Sequence, residues 1–147
     1  MRTSKPIATI SYNTEEYLVS RLQELVRNKK ICDYMYIKHF KEEDETKDHI
    51  HLWIKPNTLI DTMDIQDFMR EYDMNDISKK PLGCIDFRAS KTDDWILYSQ
   101  HDPRYLASKF ESRMYIYTKE DFRYYDIDTF EDLYRHAFYG SEWSQRN

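Results

Sequence analysis

The stretch His49-Ile50-His51-Leu52-Trp53-Ile54 decides how this chain is interpreted. Its β-branched and aromatic residues are typical of a β-strand. Side chains alternate between the two faces of a strand, so His49 and His51 are expected on one face and Ile50 on the other. Two imidazoles on one face form half of a metal site. Taken alone, the pattern also fits two ordinary polar residues of a half-exposed strand.

Secondary-structure signals on both sides of this strand predict an α+β fold. Upstream, we expect a strand over 7–12, an amphipathic helix over 14–28 and a strand over 33–40. A charged loop over 41–48 joins this last strand to the histidine strand, and the two strands are expected to form a hairpin. The elements expected downstream are a helix over 61–72, a turn at 81–83, a strand over 84–88, a helix capped by Thr92 or Asp93, a second one from Pro103 through Lys109, a strand over 113–118 and a helix over 129–139. This order predicts an antiparallel sheet with helices packed on it, of the ferredoxin-like, split βαβ kind.

Length and composition limit the class of protein. The 147 residues predict one domain, 1–147, and their net charge of −5 argues against a general nucleic-acid coat. Cys32 and Cys84 lie far apart, as expected of thiols in a reducing compartment. No apolar run is long enough to span a membrane and no signal peptide is evident, so we expect a soluble cytoplasmic protein. Two glycines cannot form a Gly-rich ATP or NAD loop.

The first candidate site combines the histidine pair with residues of the preceding strand and loop. His39 ends the predicted partner strand, and Glu42 follows it by three residues. Cross-strand neighbours have Cβ atoms about 5 Å apart, so His39, His49 and His51 can converge. Asp44 or Asp48 can replace Glu42 as the carboxylate. Such a mixed set of imidazole and carboxylate ligands suits Mn²⁺, Mg²⁺ or Zn²⁺.

The second candidate site is a tyrosine with a neighbouring histidine. Tyr98 and His101 lie at i and i+3 and therefore on one face of a predicted helix, as expected for an oxygen nucleophile with a helper. Tyr98 also continues an apolar run and can be a core residue. Tyr105 and Lys109 form a rival pair, or a plain helix surface contact. Basic residues that can line a nucleic-acid groove or a solvated face follow, with tyrosines interleaved: Arg104, Lys109, Arg113, Lys119 and Arg123.

Together these motifs resemble the HUH endonucleases, in particular the small rolling-circle plasmid replication initiators of Gram-positive bacteria. The family's histidine motif and following apolar run match 49–57, and its upstream His with an acid three residues later matches His39 and Glu42. Its catalytic Tyr-x-x-His matches Tyr98-Ser99-Gln100-His101. The family commonly has Asp where Glu42 stands. The resemblance covers 7–133, nearly the whole chain.

The resemblance implies a metal-dependent, site-specific nickase and strand transferase that initiates rolling-circle replication in the bacterial cytoplasm. His39, Glu42, His49 and His51 would hold Mn²⁺ or Mg²⁺, and Tyr98 would attack the DNA to give a 5′-phosphotyrosine, with His101 as its helper. The expected partner is single-stranded or hairpin origin DNA, contacted by Arg104, Tyr105, Lys109 and Arg113. The family's C-terminal oligomerisation region also implies an oligomer formed through a region beyond this chain.

Two other functions remain compatible with the same residues. One is a non-catalytic, ferredoxin-like nucleic-acid-binding module in which the histidines are structural. The other is a metal phosphodiesterase that uses water, and not a tyrosine, as the nucleophile. A covalent protein–DNA adduct would distinguish the nickase from both.

Overall fold

Antiparallel strands and the helices packed on them give the chain an α+β architecture, which confirms the predicted fold class. The computed structural model describes residues 2–40, 48–69 and 91–140. The described strands are β1 (Arg2–Thr3), β2 (Ile7–Ser11), β3 (Ile31–His39), β4 (His49–Pro56), β5 (Ile60–Asp61) and β6 (Phe122–Tyr124). The described helices are α1 (Glu15–Arg27), α2 (Thr62–Phe68), α3 (Thr92–Gln100), α4 (Pro103–Ser108) and α5 (Ile127–Arg135), which continues as a π-helix over His136–Gly140.

The main sheet has four strands in the order β2-β4-β3-β6, and every neighbouring pair is antiparallel. Strands β3 and β4 pair as predicted, and their register sets His39 directly opposite His49. A separate two-stranded sheet pairs β1 with β5. The histidine strand β4 is therefore a central strand, hydrogen-bonded on both sides.

One face of the sheet packs on helix α1. Ile50, Leu52 and Ile54 of β4 belong to the same buried cluster as the leucines of α1. Ile65 of α2 and its C-cap residue Met69 belong to this cluster as well. Helix α1 begins after Thr14, whose side chain accepts a hydrogen bond from the backbone N–H of Tyr17. Its leucines Leu18, Leu22 and Leu25 recur at helical spacing and are all buried. This face is a conventional apolar core.

The opposite face packs on helices α3, α4 and α5. The core there contains Trp53 of β4 with Ile96, Leu106 and Phe130, each from a different helix. The indole Nε1–H of Trp53 donates a hydrogen bond to Thr92 Oγ1 at 3.1 Å, which ties the start of α3 to the centre of the sheet. His49 and His51 lie on this face because they alternate with the apolar residues that face α1.

The strand predicted over 113–118 is not part of the sheet, and this prediction was wrong. The backbone N–H of Tyr117 donates to the carbonyl of Gln100, at the end of α3, instead of to a neighbouring strand. The alternation of residues in this segment reflects packing around the site described below. Among the described strands, the one that pairs with the other side of β3 is β6, in which Phe122 lies opposite Ile37.

Other boundaries differ by a few residues. Helix α2 ends at Phe68 with Met69 as its C-cap, so it is shorter than the range 61–72. Helix α3 begins at Thr92 with Lys91 at the N-cap, although Thr92 or Asp93 was expected there. The turn predicted at 81–83 and the strand over 84–88 lie outside the described residues. Within the described ranges, no helix is long and apolar enough to cross a lipid bilayer.

Candidate metal centre and its neighbouring tyrosine

Three histidines converge on the α3 side of the sheet. His39 ends β3, and His49 and His51 lie two residues apart on β4. Their potential ligand nitrogens all lie within 4.8 Å of one another, and the ring centroids of His39 and His51 are 4.0 Å apart. His39, His49 and His51 are therefore close enough to bind one metal ion.

The triad is buried, and burial lowers the pKa of two of its histidines. The exposed fractions of His39, His49 and His51 are 1%, 8% and 8%. The pKa of His39 is lowered to about 3, chiefly by burial. Electrostatic repulsion from His101, His49 and Arg113 also lowers this pKa, whereas the hydrogen bond to the Ser99 carbonyl raises it. Burial also lowers the pKa of His51 well below its usual range. These two imidazoles are neutral at neutral pH, which is the form that binds a metal.

A hydrogen bond to helix α3 orients His39. Its Nε2 lies 2.6 Å from the carbonyl oxygen of Ser99, and since a carbonyl only accepts, Nε2 carries the proton. The ring is also stacked on Tyr117, with centroids 4.5 Å apart and planes 6° apart. Metal-binding histidines usually have one nitrogen held in this way, which leaves the lone pair of Nδ1 for the metal. The donor set thus fits a divalent transition metal.

Of the three carboxylates predicted for this site, the structure describes one. Glu42 and Asp44 lie outside the described residues, whereas Asp48 is described and exposed at the start of the histidine strand. The fourth predicted ligand, Glu42, stays a prediction from sequence.

Tyr98 lies beside the triad. Its half-buried ring, in the last turns of α3, has its centroid 6.3 Å from that of His51. Helix α3 is tied to the sheet at both ends, by the bond from Trp53 to Thr92 and by the bond from His39 to Ser99. The position of Tyr98 is therefore set by the same face of the sheet that presents the histidines.

His101 joins the histidine cluster from the end of α3. It is the C-cap residue, with φ 63° and ψ 42°, and this left-handed conformation takes it out of the helix. Its ring is buried, with its centroid 4.7 Å from that of His39 and 5.2 Å from that of Tyr117. Its Nδ1 lies 2.9 Å from the carbonyl oxygen of Tyr115, so Nδ1–H donates to that carbonyl. In the neutral form of the ring, Nε2 then carries the lone pair.

The residues predicted to contact DNA have different environments. Arg104 and Lys109 are exposed on and after α4. Tyr105 is buried, with 6% of its surface exposed, and its ring lies under the Lys109 ammonium at 5.7 Å, as in the helix contact considered above. Arg113 is half-buried, and its charge is one of the causes that lower the pKa of His39. Of this set, Arg113 is the cation that acts electrostatically on the triad.

Sequence reasoning did not assign Ser99 or Tyr12 to this site. Ser99 contributes its backbone carbonyl, which no side-chain pattern reveals. Tyr12 is exposed, and its ring centroid lies 5.9 Å from that of His49. The spacing of two residues from Ile10 to Tyr12 indicates that both side chains lie on one face of the sheet. Only the register of β2 against β4 shows that this is the face of the histidines.

A scan against models of known protein families matched none of them to this chain. A search of curated proteins likewise found no match. The function is therefore inferred from the side chains of the site and their chemistry.

Proposed function

We propose that this protein is an HUH-type DNA nickase and strand transferase that initiates rolling-circle replication, with Tyr98 as its nucleophile. The observation that carries the proposal is the Tyr98 ring, whose centroid is 6.3 Å from that of His51 in a buried triad able to bind a metal. A tyrosine hydroxyl is a weak nucleophile without a neighbouring charge or base. Tyr98 lies beside the histidine triad, where a bound divalent cation would supply such a charge.

His39, His49 and His51 would hold a divalent cation, which when bound supplies charge that stabilises a scissile phosphate. Of the two cations expected from the sequence, Mn²⁺ suits imidazole ligands better than Mg²⁺, which prefers oxygen ligands. With Glu42 as a fourth ligand, as predicted, the set would accept either ion.

In the proposed reaction the Tyr98 oxygen attacks phosphorus, forming an O–P bond as the bond from phosphorus to the 3′ oxygen breaks. The products are a 5′-phosphotyrosine and a free 3′-hydroxyl, and the tyrosine proton ends on the departing oxygen. His101, whose Nε2 carries the lone pair in the neutral form of the ring, is the proposed proton shuttle. The 3′-hydroxyl can prime synthesis, and the reverse attack rejoins the strand without ATP.

Arg113 supports a phosphate-bearing partner at this site. Its positive charge is one of the causes that lower the pKa of His39, so a cation acts on the triad alongside the imidazoles. Arg104 and Lys109 are exposed and are proposed to contact phosphates further along the strand. Single-stranded or hairpin origin DNA is the proposed partner.

The test is an incubation of the protein with Mn²⁺ and a pool of single-stranded and hairpin oligonucleotides, followed by a denaturing gel. We expect a covalent adduct that is lost in Tyr98→Phe and retained in Tyr125→Phe, a control on an exposed tyrosine at the opposite edge of the sheet. Cleavage without an adduct would instead identify a water-using phosphodiesterase. Binding without cleavage would identify a nucleic-acid-binding module.

A further inference from the structure

Tyr12 continues the row of side chains that contains two of the metal-site histidines. It directly follows β2, in which Ile10 pairs with His51 and Ser11 with Ile50. Strand alternation therefore puts Tyr12 on the face that carries His49. The two ring centroids are 5.9 Å apart, with the planes tilted by 51°.

The row changes from exposed to buried across the sheet. Tyr12 is 53% exposed, whereas His49 is 8% and His39 is 1% exposed. Among the described strands, β2 lies at an edge of the four-stranded sheet, and Tyr12 follows it with about half of its surface in solvent. The Tyr12 ring is thus accessible to a polymer on the side where the row is exposed.

Besides the buried Tyr117, which stacks on His39, Tyr12 and Tyr98 also lie next to the triad, and their surroundings suit different tasks. Tyr98 is half-buried in a helix tied to the sheet at both ends, as a nucleophile that must be held in place requires. Tyr12 lies outside the regular elements with half of its surface in water. An exposed π-face is what base stacking needs, and the buried rings of Tyr105 and Tyr117 do not offer one.

We propose that Tyr12 is a base-stacking residue that holds the unpaired nucleobase adjacent to the phosphate at the triad. The inference rests on the proposed nickase function and names a residue that positions its substrate. A planar ring accepts any base, so Tyr12 would add affinity for unpaired nucleotides without reading sequence. Bases in a duplex stack on one another, so Tyr12 selects for strands that are already open.

The test compares two labelled strands of equal length, an oligothymidylate and an abasic deoxyribose-phosphate strand, by fluorescence anisotropy. Tyr12→Ala is expected to weaken binding of the oligothymidylate about 10-fold and to leave binding of the abasic strand unchanged. Tyr12→Phe keeps the ring and is expected to behave like the wild type. A loss that depends on the bases is not a result of a general structural defect.

Tyr125→Ala is the matched control. Tyr125 is 52% exposed and its ring centroid lies 5.7 Å from that of Tyr34, so its exposure and ring contact are close to those of Tyr12. It follows β6 at the opposite edge of the sheet. Its removal is expected to change neither binding curve.

Three results would overturn the inference. Equal losses on both strands would mean that Tyr12 acts on the backbone or on the fold. A loss of Mn²⁺ affinity in Tyr12→Ala, measured by calorimetry, would mean that it acts through His49. Loss of the covalent adduct in Tyr12→Phe would make Tyr12 the nucleophile. The proposed nickase fails separately, if the wild type forms no adduct on Tyr98, whatever the anisotropy shows.

Discussion

Both faces of strand β4 are buried over 49–54, but one carries only aliphatic side chains and the other carries two histidines and Trp53. Ile50, Leu52 and Ile54 face helix α1 and are at most 2% exposed. His49 and His51, on the other face, are each 8% exposed. Apolar burial is favourable in proportion to area, whereas burial of an imidazole costs free energy unless its nitrogens have partners. Apolar packing thus explains the face toward α1, and the two buried histidines of the other face need a functional explanation.

The two faces should also tolerate different substitutions. The face toward α1 requires side chains of suitable volume, and any well-packed apolar set would serve. The face toward α3 requires particular atoms at particular places, such as the Nε2–H that His39 donates to Ser99. Substitutions on the two faces should therefore affect different measurements.

The largest effect on folding is expected from Leu52→Ala. Leu52 is fully buried in the core against α1, so its truncation should lower the free energy of unfolding by about 2–5 kcal/mol in urea titrations. Leu59→Ala, at a leucine that is 54% exposed, is the control and should cost far less. Similar costs at the two sites would contradict the assignment of this face as the core.

His51→Leu should have the opposite effects: it should lower metal affinity and leave the stability of the metal-free protein unchanged or higher. It removes one of three potential ligands, and since even outer-shell partners are worth 10- to 100-fold, Mn²⁺ affinity should fall by at least about 100-fold. The metal-free variant should unfold at a urea concentration no lower than the wild type, because an apolar residue replaces a buried polar one. His136→Leu, at an exposed histidine paired with Asp93, should retain the metal affinity. A large loss of metal-free stability in His51→Leu would make this histidine a structural residue.

A substitution of Asp33, a buried carboxylate in β3 away from the triad, tests whether every buried polar group has a functional role. Asp33 is 7% exposed, burial raises its pKa to about 6, and its Oδ1 accepts a hydrogen bond from the N–H of Tyr34. Asp33→Asn keeps the acceptor without the buried charge, so stability at pH 7.5 should rise by about 2 kcal/mol. The gain should shrink below pH 6, where the folded wild type takes up a proton before the unfolded chain does. Asp132→Asn, at an exposed aspartate, should change stability little.

A lost or altered DNA-nicking activity in Asp33→Asn would connect this remote group to the site. An unchanged activity would limit the functional explanation to the face that carries the histidines.

The pH dependence of the free energy of unfolding should report the lowered pKa values of the buried histidines. The folded-state pKa of His39 is about 3, and that of an unfolded histidine is about 6.5. Below pH 6.5 the unfolded chain takes up a proton that the folded protein does not, so stability should fall by about 1.4 kcal/mol per pH unit from this residue alone. His51 acts in the same direction, whereas Asp33 opposes it below pH 6.

The measurement is urea unfolding of the metal-free protein from pH 7.5 to 4.5. His39→Gln should reduce the slope below pH 6.5. An unchanged slope in that variant would mean that His39 is protonated in the folded state.

The sequence by itself determined the local elements and the order of the motifs. Period-2 alternation in 49–54 separates two histidines from the apolar residues between them, and helical spacing from Leu18 to Leu25 marks α1, because both patterns are set by backbone geometry. The hairpin could be predicted because adjacent strands joined by a short loop usually pair. The convergence of His39 with the histidine pair followed from that hairpin, whereas the register that sets His39 opposite His49 came from the structure.

Only the tertiary structure decided which distant groups meet. The carbonyl of Ser99 on His39, the approach of Tyr98 to His51 and the place of Tyr12 beside His49 depend on how α3 docks and how β2 pairs. The segment 113–118 was mispredicted because alternation reports which side chains face inward, and not which backbone groups are paired. Contacts between elements depend on packing free energies summed over the whole core, and no local stretch of sequence contains that sum.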